Sequence, residues 1–268
     1  MEVEDDYLAL NKRVWDNKVA VHLQSDFYDN KNFLKTQTSL NEIELPFLNS
    51  IKGKKILHLQ CHFGQDSISL AKLGALVTAV DFSPKAIDAA KNLSLKTGVP
   101  VQFICSDIYD LPNHLEDEFD LVFSSYGTIG WLPDIKKWAA VVSHFTKPGG
   151  KLLLVEFHPF VWMYNDDFSA LTYSYFNDET IMEEETGTYA NRAADMKATM
   201  MTWNHPLSDV FQSLFHNNFK MKEFKEYNYS PYDCFQGTKE IGKGKYIIEK
   251  MGRKLPMVYA LEMEKLCD

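Results

Sequence analysis

The sequence predicts an α/β fold: a doubly wound, mostly parallel seven-stranded sheet with an antiparallel last strand, plus an inserted antiparallel β layer. Two observations predict it. Between residues 54 and 157, short apolar runs alternate with helical patterns at a spacing that calls for parallel crossovers. Beyond residue 158 that alternation gives way to strand-like runs joined by polar turns, and two further strands close the chain.

Taken in order, residues 2–20 read as a helix, with Val3, Tyr7, Leu10, Val14 and Val21 near a 3.6 period. A second helical stretch over 40–48 precedes the turn at Gly53. Residues 56–59 form a strand, followed by Gly64 and a helix through Leu73; 75–81 form the next strand. Ser83 then caps a helix that has Pro84 in its first turn, where a missing N–H costs nothing, and that ends near Gly98. Strands follow at 101–105, 119–123 and 151–157, with a helix over 134–145 between the last two. Residues 170–203 are expected as inserted strands, 207–215 as a helix, and 221–229 and 256–264 as strands that pair antiparallel at the sheet's edge. A polar loop containing Gly237, Gly242 and Gly244 separates those two. The expected organisation is a helical cap (1–50), a ligand-binding core (51–157), a β-rich insertion (158–205) and a segment completing the sheet (206–268).

Composition excludes several classes. With 45% hydrophobic and 24% charged residues, the 268-residue chain is not extensively disordered. No run approaches the roughly 18 uncharged apolar residues of a membrane span, and the acidic start Met1-Glu2-Val3-Glu4-Asp5-Asp6 is not a signal peptide. A cytoplasmic protein, monomer or homodimer, is expected. A net charge of −9 lacks the basic face of a nucleic-acid binder. Lys239, Lys243, Lys245 and Lys250 form one basic run, but Glu240 and Glu249 interrupt it, so it reads as a solvated loop. Cys61, Cys105, Cys234 and Cys267 show no C-x-x-C pairing and fit a reducing compartment.

Ligands of open parallel sheets bind beyond the carboxyl ends of the strands. Those ends carry His58 to Gly64, Asp81-Phe82, Ser106-Asp107-Ile108, Ser124 to Gly130 and Glu156-Phe157-His158. Asp81, about 20 residues after the first turn, suits a ribose diol, because a carboxylate accepts from both hydroxyls. Asp107 can accept from an adenine amino group, and the two acids flank an adenosine-sized gap. Phe82 can stack on an adenine or simply pack, and Asp81 and Asp107 also suit plain turns. His58, Cys61 and His62 are metal-ligand types, but no fourth ligand is evident and a strand would point His58 and Cys61 to opposite faces, so no metal is expected. Cys61 has no evident base and reads as a packing residue rather than a nucleophile.

These residues resemble the class I S-adenosylmethionine-dependent methyltransferases over about residues 54–157 and the final strand pair. Residues 55–64 stand where that family has its glycine-rich first motif; Val80-Asp81-Phe82-Ser83, Ser106-Asp107-Ile108, Phe119-Asp120-Leu121-Val122-Phe123 and Lys147-Pro148-Gly149-Gly150-Lys151-Leu152 match later motifs in order. The first motif departs from the pattern: His58, Gln60 and His62 replace its usual acid and glycines, and only Gly64 remains. Gln60 and His62 are therefore expected at permitted φ angles with side chains turned aside or on the ligand carboxylate. The run also resembles a methyltransferase subgroup with an HLQCHFG-like segment, Ser-Tyr-Gly after the fourth strand and His-Pro after the fifth.

The resemblance implies S-adenosyl-L-methionine as cofactor, S-adenosyl-L-homocysteine as product and a small-molecule acceptor. Cofactor contacts are expected from Tyr28, Gln60, Cys61, His62, Gly64, Asp81, Phe82, Ser83, Asp107, Ile108, Ser124 and Ser125. Tyr126, His158 and His205 are the catalytic candidates, His158 foremost as a residue that titrates near neutrality. Trp15, His22 and Tyr28 could close over the cofactor, while Trp131 and Trp162 read as lid or core residues, the core being preferred for both. A nicotinamide-dependent oxidoreductase would need the G-x-G-x-x-G turn that residues 60–64 lack. A non-catalytic cofactor binder or scaffold remains the other alternative.

Overall fold

The computed structural model describes residues 4–36 and 38–267. Its centre is a seven-stranded sheet built from β1 (Lys55–Leu59), β2 (Leu76–Asp81), β3 (Gln102–Cys105), β4 (Phe119–Ser125), β5 (Thr146–Phe157), β8 (Phe219–Tyr227) and β11 (Val258–Lys265), in the order β3-β2-β1-β4-β5-β11-β8. Helices α3 (Gln65–Lys72), α4 (Pro84–Thr97) and α5 (Ile135–Phe145) make the crossovers. β11 runs antiparallel to both β5 and β8, between them, so the last strand of the chain is the reversed one, as expected. Strand order reverses between β1 and β4, which opens the crevice that such sheets use for ligands.

Period-2 alternation divides the core. Ile56 on β1 packs with Leu70, Ile87 and Ala90 of α3 and α4 on one face, while Leu57 and Leu59 join Trp138, Val142 and Val210 on the other. The last of these belongs to α6 (Leu207–His216), which lies beside α5. At ~25 cal/mol per Å² of apolar surface removed from water, this two-sided burial is the main force holding the layers together.

The first helix is α1 (Glu4–Gln24) rather than 2–20; Val3, placed on its apolar stripe, lies outside the described residues. Its buried face is Tyr7, Asn11, Val14, Lys18 and His22, a helical period in which three members are polar. A short helix α2 (Asn30–Thr36) was not expected. Over 40–48 the expected helix shrinks to a 3-10 turn, Leu45–Phe47. Pro46 sits in it, and the Glu44 carboxylate takes the Asn41 N–H at 2.5 Å, the local side-chain bond that competes with a helix.

Two-stranded sheets complete the chain: β6 (Ile181–Thr186) with β7 (Lys197–Thr202), and β9 (Thr238–Gly242) with β10 (Lys245–Ile248). The β6–β7 hairpin is the inserted antiparallel layer. Residues 171–176, expected as one of its strands, form bends with Leu171 and Phe176 exposed, and Gly187 at φ 75° ends β6 before Thr188 and Tyr189. The β9–β10 hairpin replaces part of the expected polar loop.

Candidate active site

A cavity of about 610 Å³ opens above the carboxyl ends of β1 to β5. Of the expected site residues, Tyr28, Gln60, Cys61, His62, Gly64, Asp81, Phe82, Asp107, Ile108, Ser125, Tyr126 and His205 line it. Ser83, Ser124 and His158 do not, and each has another occupation. Ser83 caps α4, its hydroxyl accepting from Ala86 N–H at 3.0 Å and donating to Asp16 at 2.5 Å. The fully buried Ser124 hydroxyl donates to Thr128 at 2.9 Å.

The structure also removes His158 from the base role. Its Nδ1 accepts from Phe160 N–H at 3.1 Å, so Nε2 carries the proton and faces Glu226 at 3.1 Å, leaving no lone pair for a substrate. His205 meets the cavity, but its Nε2–H donates to the Leu132 carbonyl at 2.8 Å and burial lowers its pKa. Trp131 and Trp162 stand on the cavity wall rather than in the core.

The turn after β1 resolves the unusual motif. Gln60 (φ 55°), His62 (φ 49°) and Gly64 (φ 80°) all occupy the left-handed region, so two side-chain-bearing residues hold the conformation that glycine adopts freely. These angles fall in the small left-handed region permitted to side-chain-bearing residues, at a cost of about 1 kcal/mol or more for each. Side-chain bonds offset it. Gln60 Nε2 donates to the Thr128 carbonyl at 2.8 Å, and the His62 ring packs on Phe63 and Trp15 while its Nε2 meets His22 Nδ1 at 2.9 Å. Burial drives both imidazoles neutral, His22 to about 2 and His62 to about 3, with the Lys18 ammonium adding to the effect on each. Burial likewise holds His58 neutral, at about 4, on Ser67.

Gly64 has no such alternative. A Cβ there would lie 2.8 Å from the Phe103 ring, on top of a left-handed φ. Gly64→Ala is expected to cost about 2 kcal/mol, roughly 4–8 °C in Tm, read by calorimetry. A shift under 2 °C would show that the ring and turn yield freely.

The opposite wall is a roof made by α1 and the β6–β7 hairpin. The Asn11 amide donates to Met201 O at 2.7 Å and accepts from Met201 N–H at 3.0 Å. The buried Lys18 ammonium pairs with Glu185 at 2.6 Å beneath the faces of Trp15, Trp131 and Tyr189. Tyr28 and Tyr189 join hydroxyl to hydroxyl at 2.5 Å. Sequence reading missed Asn11, Lys18, Glu185 and Tyr189; a lysine on the inward period of a helix was the one available signal.

An adenosyl ligand fits what is present. The buried Asp81 carboxylate accepts from His62 N–H (2.8 Å) and Ser83 N–H (2.9 Å), one per oxygen, which leaves a lone pair on each for a diol. Burial raises its pKa to about 6. Asp107 accepts from Tyr109 N–H through Oδ1 at 2.8 Å and keeps Oδ2. Gln60 Oε1 is buried without a partner, an acceptor suited to an ammonium. Among the described residues, no three His, Cys, Asp or Glu side chains converge as metal ligands.

Comparison with known proteins gives a family match for the core. Residues 56–150 match the protein family described as "Methyltransferase domain". The ubiquinone biosynthesis O-methyltransferase of Chromobacterium violaceum is 31% identical over 131 residues, 48% of this chain and 56% of that protein. Its namesake from Coxiella burnetii is 29% identical over 162 residues, 59% of this chain and 65% of that one. The chain thus spans less than two thirds of the length of these curated relatives. A solved S-adenosylmethionine-dependent methyltransferase from Clostridium acetobutylicum superposes with a TM-score of 0.57 at 16% identity, covering 92% of this chain and 95% of that one.

Proposed function

We propose that this chain, which carries a methyltransferase domain on the class I S-adenosylmethionine-dependent methyltransferase fold, transfers a methyl group from that cofactor to a small molecule. The observation that carries the reading is the Asp81 carboxylate at the cavity floor, tied to the first-motif turn through His62 N–H yet keeping acceptor capacity. When bound, S-adenosylmethionine supplies a methyl group already activated by a sulfonium; the protein supplies alignment and a dry site.

In this reading Asp81 holds the ribose, Asp107 the adenine amino group, and Phe82 and Ile108 flank the base. Strand order then directs the rest: with adenine over β3 and ribose over β2, the amino-acid end falls over β1, where Gln60, His62 and Tyr28 stand. The acceptor is left the space above β4 and β5, between Tyr126, Trp131 and Trp162 and the roof. A volume of about 610 Å³ is of the order of small-molecule sites, which favours a metabolite over nucleic acid. Residues 1–50 act as a cap, 51–157 bind the cofactor, 158–205 roof the acceptor, and 206–268 complete the sheet. Four free cysteines support a cytoplasmic setting, as monomer or homodimer. No described helix is long and apolar enough to cross a membrane.

Thermal unfolding tests the cofactor. S-adenosylmethionine or S-adenosylhomocysteine at about 100 times its dissociation constant adds roughly 2.7 kcal/mol, or about 5–10 °C, whereas NAD should add nothing. Absence of a shift with both adenosyl ligands would overturn the proposal.

A further inference from the structure

Behind the cavity wall lies a buried acid with no part in the roles above. Glu44 is fully buried, just before the 3-10 turn, and is not itself on the cavity surface. Its Oε1 accepts from Asn41 N–H (2.5 Å) and Asn41 Nδ2 (3.3 Å); its Oε2 accepts from the Tyr126 hydroxyl at 2.6 Å. Asn41 Nδ2 also donates to the Tyr232 hydroxyl at 2.8 Å. Tyr126 and Tyr232 both line the cavity, so this network connects it to Glu44.

Among the described residues, no cation is one of the groups that weigh most on Glu44. The titratable groups acting on Glu44 or feeling its charge are Asp66 of α3, Tyr126 after β4, and Tyr227, Tyr229 and Tyr232 at and beyond the end of β8. Among the described residues no lysine, arginine or histidine forms an ion pair with it. A buried carboxylate without a cation is costly, and a glutamine could make similar bonds at less expense. Tyr126 is itself held in an unusual conformation, φ 51° followed by Gly127 at 74°, with its N–H on Val155 O at 2.6 Å. Such backbone strain concentrates at sites where it aims a side chain.

We propose that Glu44, acting through Tyr126, receives the proton that a hydroxyl-bearing acceptor loses during methyl transfer. The inference rests on the methyltransferase reading above and narrows its acceptor class. As the acceptor oxygen bonds to the methyl carbon and the sulfonium C–S bond breaks, the acceptor proton passes to the Tyr126 oxygen. Tyr126 in turn releases its own proton to Glu44 Oε2. The sulfonium becomes a neutral thioether, the carboxylate becomes a carboxylic acid, and charge balances. A neutral hydroxyl is a weak nucleophile that gains most from such a base.

Burial, with Asp66 next in weight, raises Glu44 to about 7, so the acceptor form of the pair is available at and above neutrality. Burial keeps the Tyr126 hydroxyl far above its ordinary range, so it passes a proton on rather than standing ionised.

Three readouts on the S-adenosylhomocysteine-loaded protein and on turnover test the relay. First, carboxyl infrared or carbon-13 spectra should show one group titrating near pH 7 that is absent in Glu44→Gln. A wild-type spectrum with all carboxyls in the ordinary range overturns the proposal. Second, Glu44→Gln should gain stability relative to wild type as pH rises from about 5 to 7, since the unfolded glutamate ionises before the buried one while the contributions of the buried histidines are common to both proteins. A Tm difference that stays constant with pH overturns the proposal. Third, with catechol as acceptor, Glu44→Gln and Tyr126→Phe should lower kcat about 10²- to 10⁴-fold and lose the limb near pH 7. Affinity for S-adenosylmethionine should be unchanged. Retained kcat and limb, or methylation of propylamine in place of catechol, overturns it. Loss of cofactor binding by the wild type would instead fell the methyltransferase reading.

Discussion

Asp81→Ala is expected to raise the dissociation constant for S-adenosylmethionine by about 10²-fold or more, read by calorimetric titration. The carboxylate is the one group at the end of β2 that can take both ribose hydroxyls, and hydrogen bonds to a charged partner contribute about 1.5–3 kcal/mol each. The loss has a second source. Asp81 also holds the His62 and Ser83 N–H groups, so its removal loosens the left-handed turn that shapes the floor. Asp81→Asn separates the two effects. One amide oxygen can satisfy only one of those N–H groups while the NH₂ opposes the other, so a loss of about tenfold or more is expected. Acidity gives an independent check. With a pKa near 6, Asp81 binds the diol as a carboxylate above that value, and wild-type affinity should weaken as pH falls through about 6. An unchanged dissociation constant in Asp81→Ala would remove the ribose assignment.

Asp81 was legible because the sequence shows it twice, as the end of a β-branched run and as an acid two residues before the Ser83-Pro84 helix start. The same punctuation marked β1 to β5 and the reversed final strand, whose patterns carry both faces of the core. It failed where polarity replaced apolar periodicity. On α1 the inner face is Asn11, Lys18 and His22, whose partners Met201, Glu185 and His62 lie on other elements. A hydrophobic period found the helix through Tyr7 and Val14, but it cannot find the polar residues of the buried side, which hydrogen bonds and ion pairs satisfy.

The short motifs misled in a different way. Ser83, Ser124 and His158 occupy positions next to the cavity, yet local geometry commits each to a nearby partner: Ser83 caps the Ala86 N–H, the Ser124 hydroxyl donates to the Thr128 hydroxyl, and the His158 ring is fixed by Phe160 N–H. Spacing places a residue at a strand end; it does not fix which way the side chain leaves. Gln60 and His62 show the converse. They break the glycine pattern in sequence but keep its left-handed backbone, because contacts with Thr128, Trp15 and His22 hold them there. The shape of the turn therefore depends on α1 and on the loop after β4, neither of which the motif contains.

Glu156→Ala is expected to lower Tm by roughly 6–16 °C, from a loss of about 3–4 kcal/mol, and to abolish turnover in the molecules that remain folded. Glu156 is the penultimate residue of β5, and its carboxylate accepts from the N–H groups of Gly127, Thr128 (2.7 Å), Ile129 (3.2 Å) and Phe157 (2.7 Å), and from the Thr128 hydroxyl (2.9 Å). Alanine would strand these buried donors at once, each worth more unsatisfied than its bond was worth made. Water entering the cavity would rescue part of them, which is why the expected loss is below their sum. The same loop carries Tyr126 and supplies the Thr128 carbonyl that fixes Gln60, so one carboxylate sets both the acceptor wall and the turn over β1. Glu156→Gln keeps one accepting oxygen but turns an NH₂ toward the remaining donors, and should lose about 1–2 kcal/mol while damaging turnover more than cofactor affinity. Calorimetry for stability and titration with S-adenosylhomocysteine for affinity separate these effects. An alanine variant that unfolds within 2 °C of the wild type would show that the loop is held by its own turns, and that Glu156 is free to face the acceptor.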